Sequence, residues 1–172
     1  VGVVPQFSPT LQTVLPTTLV DLAYATSGGA SGIYVGIGSN QIYTSRDTNN
    51  WNRIPNATNA FSASPTAIGF CSGLGMFIVC NATTTAYTSL DSLNWNESPV
   101  GSDATVSFVA CSPSTIIVGG ANDTDNGIQN IWSSTDGVSW TKQGITGSGF
   151  TITAMFYDGG QFMLGTSNGN TQ

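Results

Sequence analysis

The chain contains no histidine, a single glutamate (Glu97) and three cations, Arg46, Arg53 and Lys142, in 172 residues. Without histidine, serine- and cysteine-type triads lose their usual base and metal sites lose their commonest ligand. Three scattered cations against nine carboxylates, a formal charge of −6, cannot neutralise a phosphate backbone or make a basic membrane patch, which excludes nucleic acid as a partner. No apolar run is long enough to span a bilayer, so no membrane insertion is expected. No stretch sustains a helical period, so essentially no helix is expected either.

The remaining carboxylates offer little chemistry. A two-carboxylate glycosidase could draw on Asp21, Asp103, Asp158 and the aspartates of the repeat described below. Those residues stand beside Gly, Ser and Asn, where Asp forms turns. The stretch Gly120–Gly127 alternates oxygen-bearing side chains in the manner of a calcium loop, but its spacing is not that of an EF-hand and no distal Glu completes it. It reads as a solvated loop. No catalytic residue, no cofactor and no metal ligand is assigned, and an enzyme is not expected.

What the chain has is a repeat. Ile42-Tyr43-Thr44-Ser45-Arg46-Asp47-Thr48-Asn49-Asn50-Trp51 returns as Ala86-Tyr87-Thr88-Ser89-Leu90-Asp91-Ser92-Leu93-Asn94-Trp95 and as Ile131-Trp132-Ser133-Ser134-Thr135-Asp136-Gly137-Val138-Ser139-Trp140. The tryptophans fall 44 and then 45 residues apart, a period that points to propellers, solenoids or arrays. In each copy an aromatic-bearing strand leads to Ser45, Ser89 or Ser134, then to Asp47, Asp91 or Asp136, and the chain returns at Trp51, Trp95 or Trp140. The short Asp side chain closes an Asx-type turn on the backbone ahead of it, the Ser hydroxyl assists, and the Trp supplies apolar surface for packing one unit on the next.

These residues resemble the Asp-box propellers, whose repeats occur in sialidases, sortilin-like receptors and many secreted proteins. The boxes are shortened, with Trp one residue nearer to Asp than usual and a glycine after Asp only in the third copy, at Gly137. The resemblance implies an all-β propeller and says little about activity, since such boxes lie away from active sites. A sialidase-like site would need an arginine cluster with a Tyr and Glu pair, and Arg46, Arg53 and Glu97 do not supply it.

Around the boxes the chain divides into an extended N-terminal segment, 1–19, and repeats at 20–61, 62–104, 105–149 and 150–172. Each full repeat carries four short strands rich in β-branched and aromatic residues, which is one propeller blade. The fourth supplies only its first two strands, leaving an unpaired edge that folded proteins cover. The expected fold is therefore a four-bladed β-propeller whose last blade is completed by an N-terminal strand, Val1, Gly2, Val3 and Val4. That strand either folds back within its own chain or is donated to a neighbour, giving a head-to-tail polymer by strand addition. A third arrangement makes the chain a piece of a propeller of more blades.

Three cysteines cannot all pair within one chain. Cys71 and Cys111 stand in like places of successive repeats, and Cys80 aligns with Gly36, Gly119 and Gly165. With Cys71 opposite Phe77, a Cys71–Cys80 bridge is awkward. Two readings stay open: three small buried apolar residues, or one bridge with a thiol left over.

Four sequons, at Asn56, Asn81, Asn96 and Asn122, fall at predicted strand ends and loops where a glycan is tolerated. Together with a surface of Ser, Thr, Asn and Gly they indicate a secreted, cell-surface setting, the chain being read as a processed or excised segment. The leading expectation is a non-enzymatic extracellular structural or adhesive glycoprotein, the subunit of a glycan-coated filament with itself as partner. The alternative is a carbohydrate-binding, lectin-like propeller, for which Tyr24, Tyr34 and Phe156 are the candidate aromatic contacts.

Overall fold

The structure is a computed structural model and describes residues 18–38, 40–54, 61–102, 104–122, 129–143 and 150–168. It is all-β. Three antiparallel meanders of four strands are followed by a two-stranded sheet. The first blade runs β1 (Asp21–Tyr24), β2 (Tyr34–Gly38), β3 (Gln41–Ser45) and β4 (Asn52–Arg53); the second β5 (Ala67–Cys71), β6 (Met76–Cys80), β7 (Thr85–Ser89) and β8 (Asn96–Pro99). The third has β9 (Phe108–Cys111), β10 (Ile116–Asn122), β11 (Gln129–Ser134) and β12 (Thr141–Gln143), and the last sheet β13 (Phe150–Tyr157) and β14 (Phe162–Asn168). Each meander follows sequence order, because short Gly-, Ser- and Asn-rich connections can only return the chain beside itself.

The strands alternate in side-chain direction, so each blade has two faces, and both are apolar where blades stack. Blade one offers Ala23, Val35, Ile37 and Ile42 to Ile68, Phe77, Val79 and Tyr87 of blade two. The opposite face of blade two offers Ala67, Ile78, Cys80 and Ala86 to Ile116, Val118 and Trp132 of blade three. This explains why the middle strands read as apolar runs, MFIVC in β6 for example, rather than as alternating patterns. The inner strands β1, β5, β9 and β13 follow one another in space. Their hairpin turns meet where only glycine fits: a Cβ on Gly28, whose φ is +74°, would stand 3.0 Å from the Gly75 Cα.

A one-residue step in register decides the cysteine chemistry. Cys71 pairs with Met76, and Phe70 with Phe77, correcting the expected Cys71–Phe77 alignment. Cys111 pairs with Ile116, which is the register counterpart of Phe77 when both are referred to the box strands. Cys111 therefore corresponds to Phe70, not to Cys71, and the two cysteines point to opposite faces of their own blades. Equivalent positions would face the same way around the stack and could not meet. Offset by one, Cys71 on the far face of blade two and Cys111 on the near face of blade three form a disulfide with Cα atoms 5.0 Å apart. Cys80, which aligns with Ile37 rather than Gly36, is the buried free thiol.

Candidate functional site

The three boxes share one core of Ser and Asp hydrogen bonds. In the first, Ser45 Oγ donates to Asp47 Oδ1 at 3.1 Å and accepts from the Thr48 amide at 2.9 Å, while Asp47 Oδ1 accepts from the Asn49 and Asn50 amides at 2.9 and 2.8 Å. Ser89 and Asp91 repeat this with the amides of Ser92, Leu93 and Asn94, and Ser134 and Asp136 with those of Gly137, Val138 and Ser139. The residue after each Asp is left-handed, with φ of 62° at Thr48, 67° at Ser92 and 72° at Gly137. Asn50 and Asn94 add a side-chain bond to the second carboxylate oxygen, each at 2.7 Å.

Each Trp stands one residue before its outer strand. Trp51 and Trp95 donate from Nε1 to the carbonyls of Thr48 and Ser92 at 3.1 and 3.2 Å, closing their own turns. The third box departs from this. Trp140 Nε1 donates at 2.7 Å to Ser98 Oγ of blade two, and that hydroxyl donates at 2.6 Å to the Gly137 carbonyl. Ser98 is the register counterpart of Ile54 in blade one, so the apolar contact made there is replaced by a hydrogen-bonded relay between blades two and three.

The box carboxylates are held ionised. The Asn50 amide, first among several donors, takes Asp47 well below the usual carboxylate range. Partial burial would raise Asp91, but the Asn94 and Leu93 amides, the Asn94 side chain and Ser89 outweigh it and bring the pKa down to about 2. The Ser139 and Val138 amides, then Ser134, take Asp136 to about 2. A carboxylate in this state and with its oxygens occupied is poorly suited to general acid or base work near neutral pH. Asp158 is lowered by the Gln161 and Gly160 amides in the β13–β14 turn. Asp21 has a different task that its neighbours in sequence do not reveal: its Oδ2 accepts from the Ile68 amide at 3.0 Å, tying β1 to β5 of the next blade. Asp103 lies outside the described residues.

The sequons part company. Asn96 is exposed on β8, the outer strand of blade two. Asn81 is buried, 1% exposed, donating to Ser62 Oγ at 3.4 Å and accepting from Thr83 Oγ1 at 2.6 Å. A glycan on Asn81 would replace one Nδ2 hydrogen of this buried side chain and would require the side chain to leave its packing. Asn122 ends β10 with its backbone opposite Gln129. Asn56, and Val1, Gly2, Val3 and Val4, lie outside the described residues. Of the candidate sugar-stacking aromatics, Phe156 and Tyr24 are exposed, whereas Tyr34 is buried with its ring centroid 4.4 Å from that of Tyr24.

The sequence gives no hint of a cleft of about 380 Å³ between the first box and the second. Gly29, Ile33, Thr44, Arg46 and Asn52 line it from blade one, and Asp91, Ser92 and Leu93 from the second box. Arg46 is exposed and donates one long bond, Nη1 to the Ser31 carbonyl at 3.4 Å. Among the described residues no group of three or more His, Cys, Asp or Glu side chains is placed to hold a metal ion.

No family model matches the chain, and no curated protein does. Solved structures do match, and they are β-propellers. YCF48 from Cyanidioschyzon merolae superimposes with a TM-score of 0.57 at 16% identity, over 78% of this chain and 41% of that one. YCF48 bound to D1 peptide gives 0.59 at 15% identity, over 90% and 48%. A chain of a nidogen–laminin complex gives 0.55 at 13% identity, over 81% and 52%. The likeness is one of fold alone, and the chain spans about half the length of these propellers or less.

Proposed function

We propose that the chain is a non-enzymatic extracellular structural or adhesive glycoprotein, an Asp-box-type propeller unit of four blades left open between the first and the last, whose copies join head to tail. The observation that carries this reading is the pair of unlike end faces. Blade stacking uses a leading and a trailing apolar face at every internal contact. Blade one still exposes Leu22 and Tyr24 on its leading side, at 42% and 38%, and the last sheet exposes Phe156 and Met163, paired across β13 and β14, at 54% and 39%. A trailing face of one copy set on the leading face of the next continues the contact made inside the molecule, and such a heterologous joint closes a ring or extends a filament.

The two-stranded last sheet supplies a second element of the joint. Among the described residues β14 pairs only with β13, so its outer edge is a template for an added strand, the role proposed for Val1–Val4 of the same or a neighbouring chain. An extracellular setting agrees with the Cys71–Cys111 bridge, since disulfides persist in oxidising compartments. Asn96 is the best placed of the described sequon residues for a glycan. Sedimentation and negative-stain microscopy over a concentration series test the reading. Oligomers or fibres that dissolve in a Phe156→Asp, Met163→Asp variant are expected. A chain that stays monomeric at high concentration with the Val1–Val4 amides protected from exchange would refute it.

A further inference from the structure

We propose that the cleft between the first and second boxes binds a polyhydroxylated carboxylate, such as a uronic acid unit of an acidic glycan. Two independent features point to a ligand. The first is Arg46, whose planar guanidinium presents a fork of donors suited to a carboxylate and which, among the described residues, makes just the long bond to Ser31. The second is Ser92, a residue that lines the cleft and whose buried hydroxyl has no hydrogen-bond partner among the described residues. Buried polar groups are nearly always paired, so an unpaired one needs a reason.

The turn itself does not provide that reason. At the same left-handed position the third box has glycine, with no side chain, and the first has Thr48, whose hydroxyl is satisfied by the Asp47 carbonyl at 2.6 Å. Among the described residues, only the second box has an unpaired hydroxyl at this position, and its residue lines the cleft. The neutral groups around it, Thr44 and Asn52, can donate to and accept from sugar hydroxyls, while Leu93 and Ile33 offer apolar surface to the carbon face of a sugar ring. Asp91 lines the same cleft as Arg46, so the arginine is the group that draws an anion. The Asp91 oxygens already receive Ser89, Leu93 and both Asn94 donors, which leaves this carboxylate a weak partner for an ammonium group and disfavours an amino acid. The site lies at the contact of blades one and two and contains none of the end-face residues used in self-association, Leu22, Tyr24, Phe156 and Met163.

The test is an NMR titration of the isotopically labelled chain with oligoglucuronate, with the neutral glucose oligomer and with acetate. Saturable shifts at the Arg46, Asn52, Ser92 and Leu93 amides are expected with the uronate. Arg46→Gln should weaken binding by about ten- to hundredfold, the range for a charge-assisted contact, with the dispersion of the spectrum unchanged. Asn52→Ala, on the same wall, is a second variant that should weaken binding without removing charge. Equal binding of the neutral oligomer or of acetate, unchanged affinity in Arg46→Gln, or shifts confined to other blades would each overturn the assignment.

Discussion

Ser98 is the sharpest probe of how the blades are joined. It is 3% exposed, and its hydroxyl takes the Trp140 indole N–H at 2.7 Å while donating at 2.6 Å to the Gly137 carbonyl. Ser98→Ala deletes both bonds and almost no volume. At about 0.5–1.5 kcal/mol net for each, the loss would reach about 3 kcal/mol if both partners stayed unpaired. They need not, because Trp51 and Trp95 show that the indole can reach the carbonyl of its own turn directly. With Trp140 turned onto Gly137 in that way, one bond is recovered and the expected cost is about 1–2 kcal/mol. Urea denaturation followed by tryptophan fluorescence measures it, with an unchanged slope if only the folded state is affected. Unglycosylated protein is required, since the substitution also destroys the Asn96 sequon. A loss within about 0.5 kcal/mol of zero, the range of an ordinary surface change such as Ser114→Ala, would refute the relay as a joint between blades.

Three further outcomes follow from the same geometry. Closing a 40-residue separation, the Cys71–Cys111 bridge should contribute about 4 kcal/mol on the chain-entropy account, so the Cys71→Ala, Cys111→Ala double variant should unfold at much lower urea and the wild type should match it under reductant. Asp91 and Asp136 fall from 3.8 to about 2 on folding, so the unfolded chain takes up protons first; their stabilisation is full above pH about 4, is lost as the pH drops towards about 2, and should be diminished in that window by Asp136→Asn in an acid titration. At the left-handed box position, Ser92→Gly should be neutral or stabilising by up to about 1 kcal/mol, for it relieves both the φ of 67° and the unpaired hydroxyl. Gly137→Ala should cost about 1–3 kcal/mol, because the added Cβ would meet the Met76 sulfur at 2.7 Å, and thermal unfolding of the two variants distinguishes them by sign.

The boxes were legible because everything that makes them is local. Ser, Asp, the left-handed residue and the two amides that follow sit within six residues, so residue type and spacing specify the hydrogen bonds before any tertiary contact exists. Short segments rich in β-branched and aromatic residues, separated by polar turns, likewise specified antiparallel sheets in sequence order. The contacts between blades were another matter. Asp21 looks like one more turn residue and instead receives the Ile68 amide from the next blade. Asn81 looks like an accessible sequon and instead lies bonded between Ser62 and Thr83.

By itself, then, the sequence determined the repeat, the all-β class and the chemistry of each turn, since those depend on neighbours along the chain. Only the tertiary structure decided which faces meet. A strand turns successive side chains to opposite sides, so the single register step that separates Cys111 from the counterpart of Cys71 settles whether two thiols point the same way around the stack or towards each other. The cleft has the same origin. Arg46 and Ser92 belong to different repeats, and nothing in either box specifies the other until the apolar faces of blades one and two have packed and brought the two turns side by side.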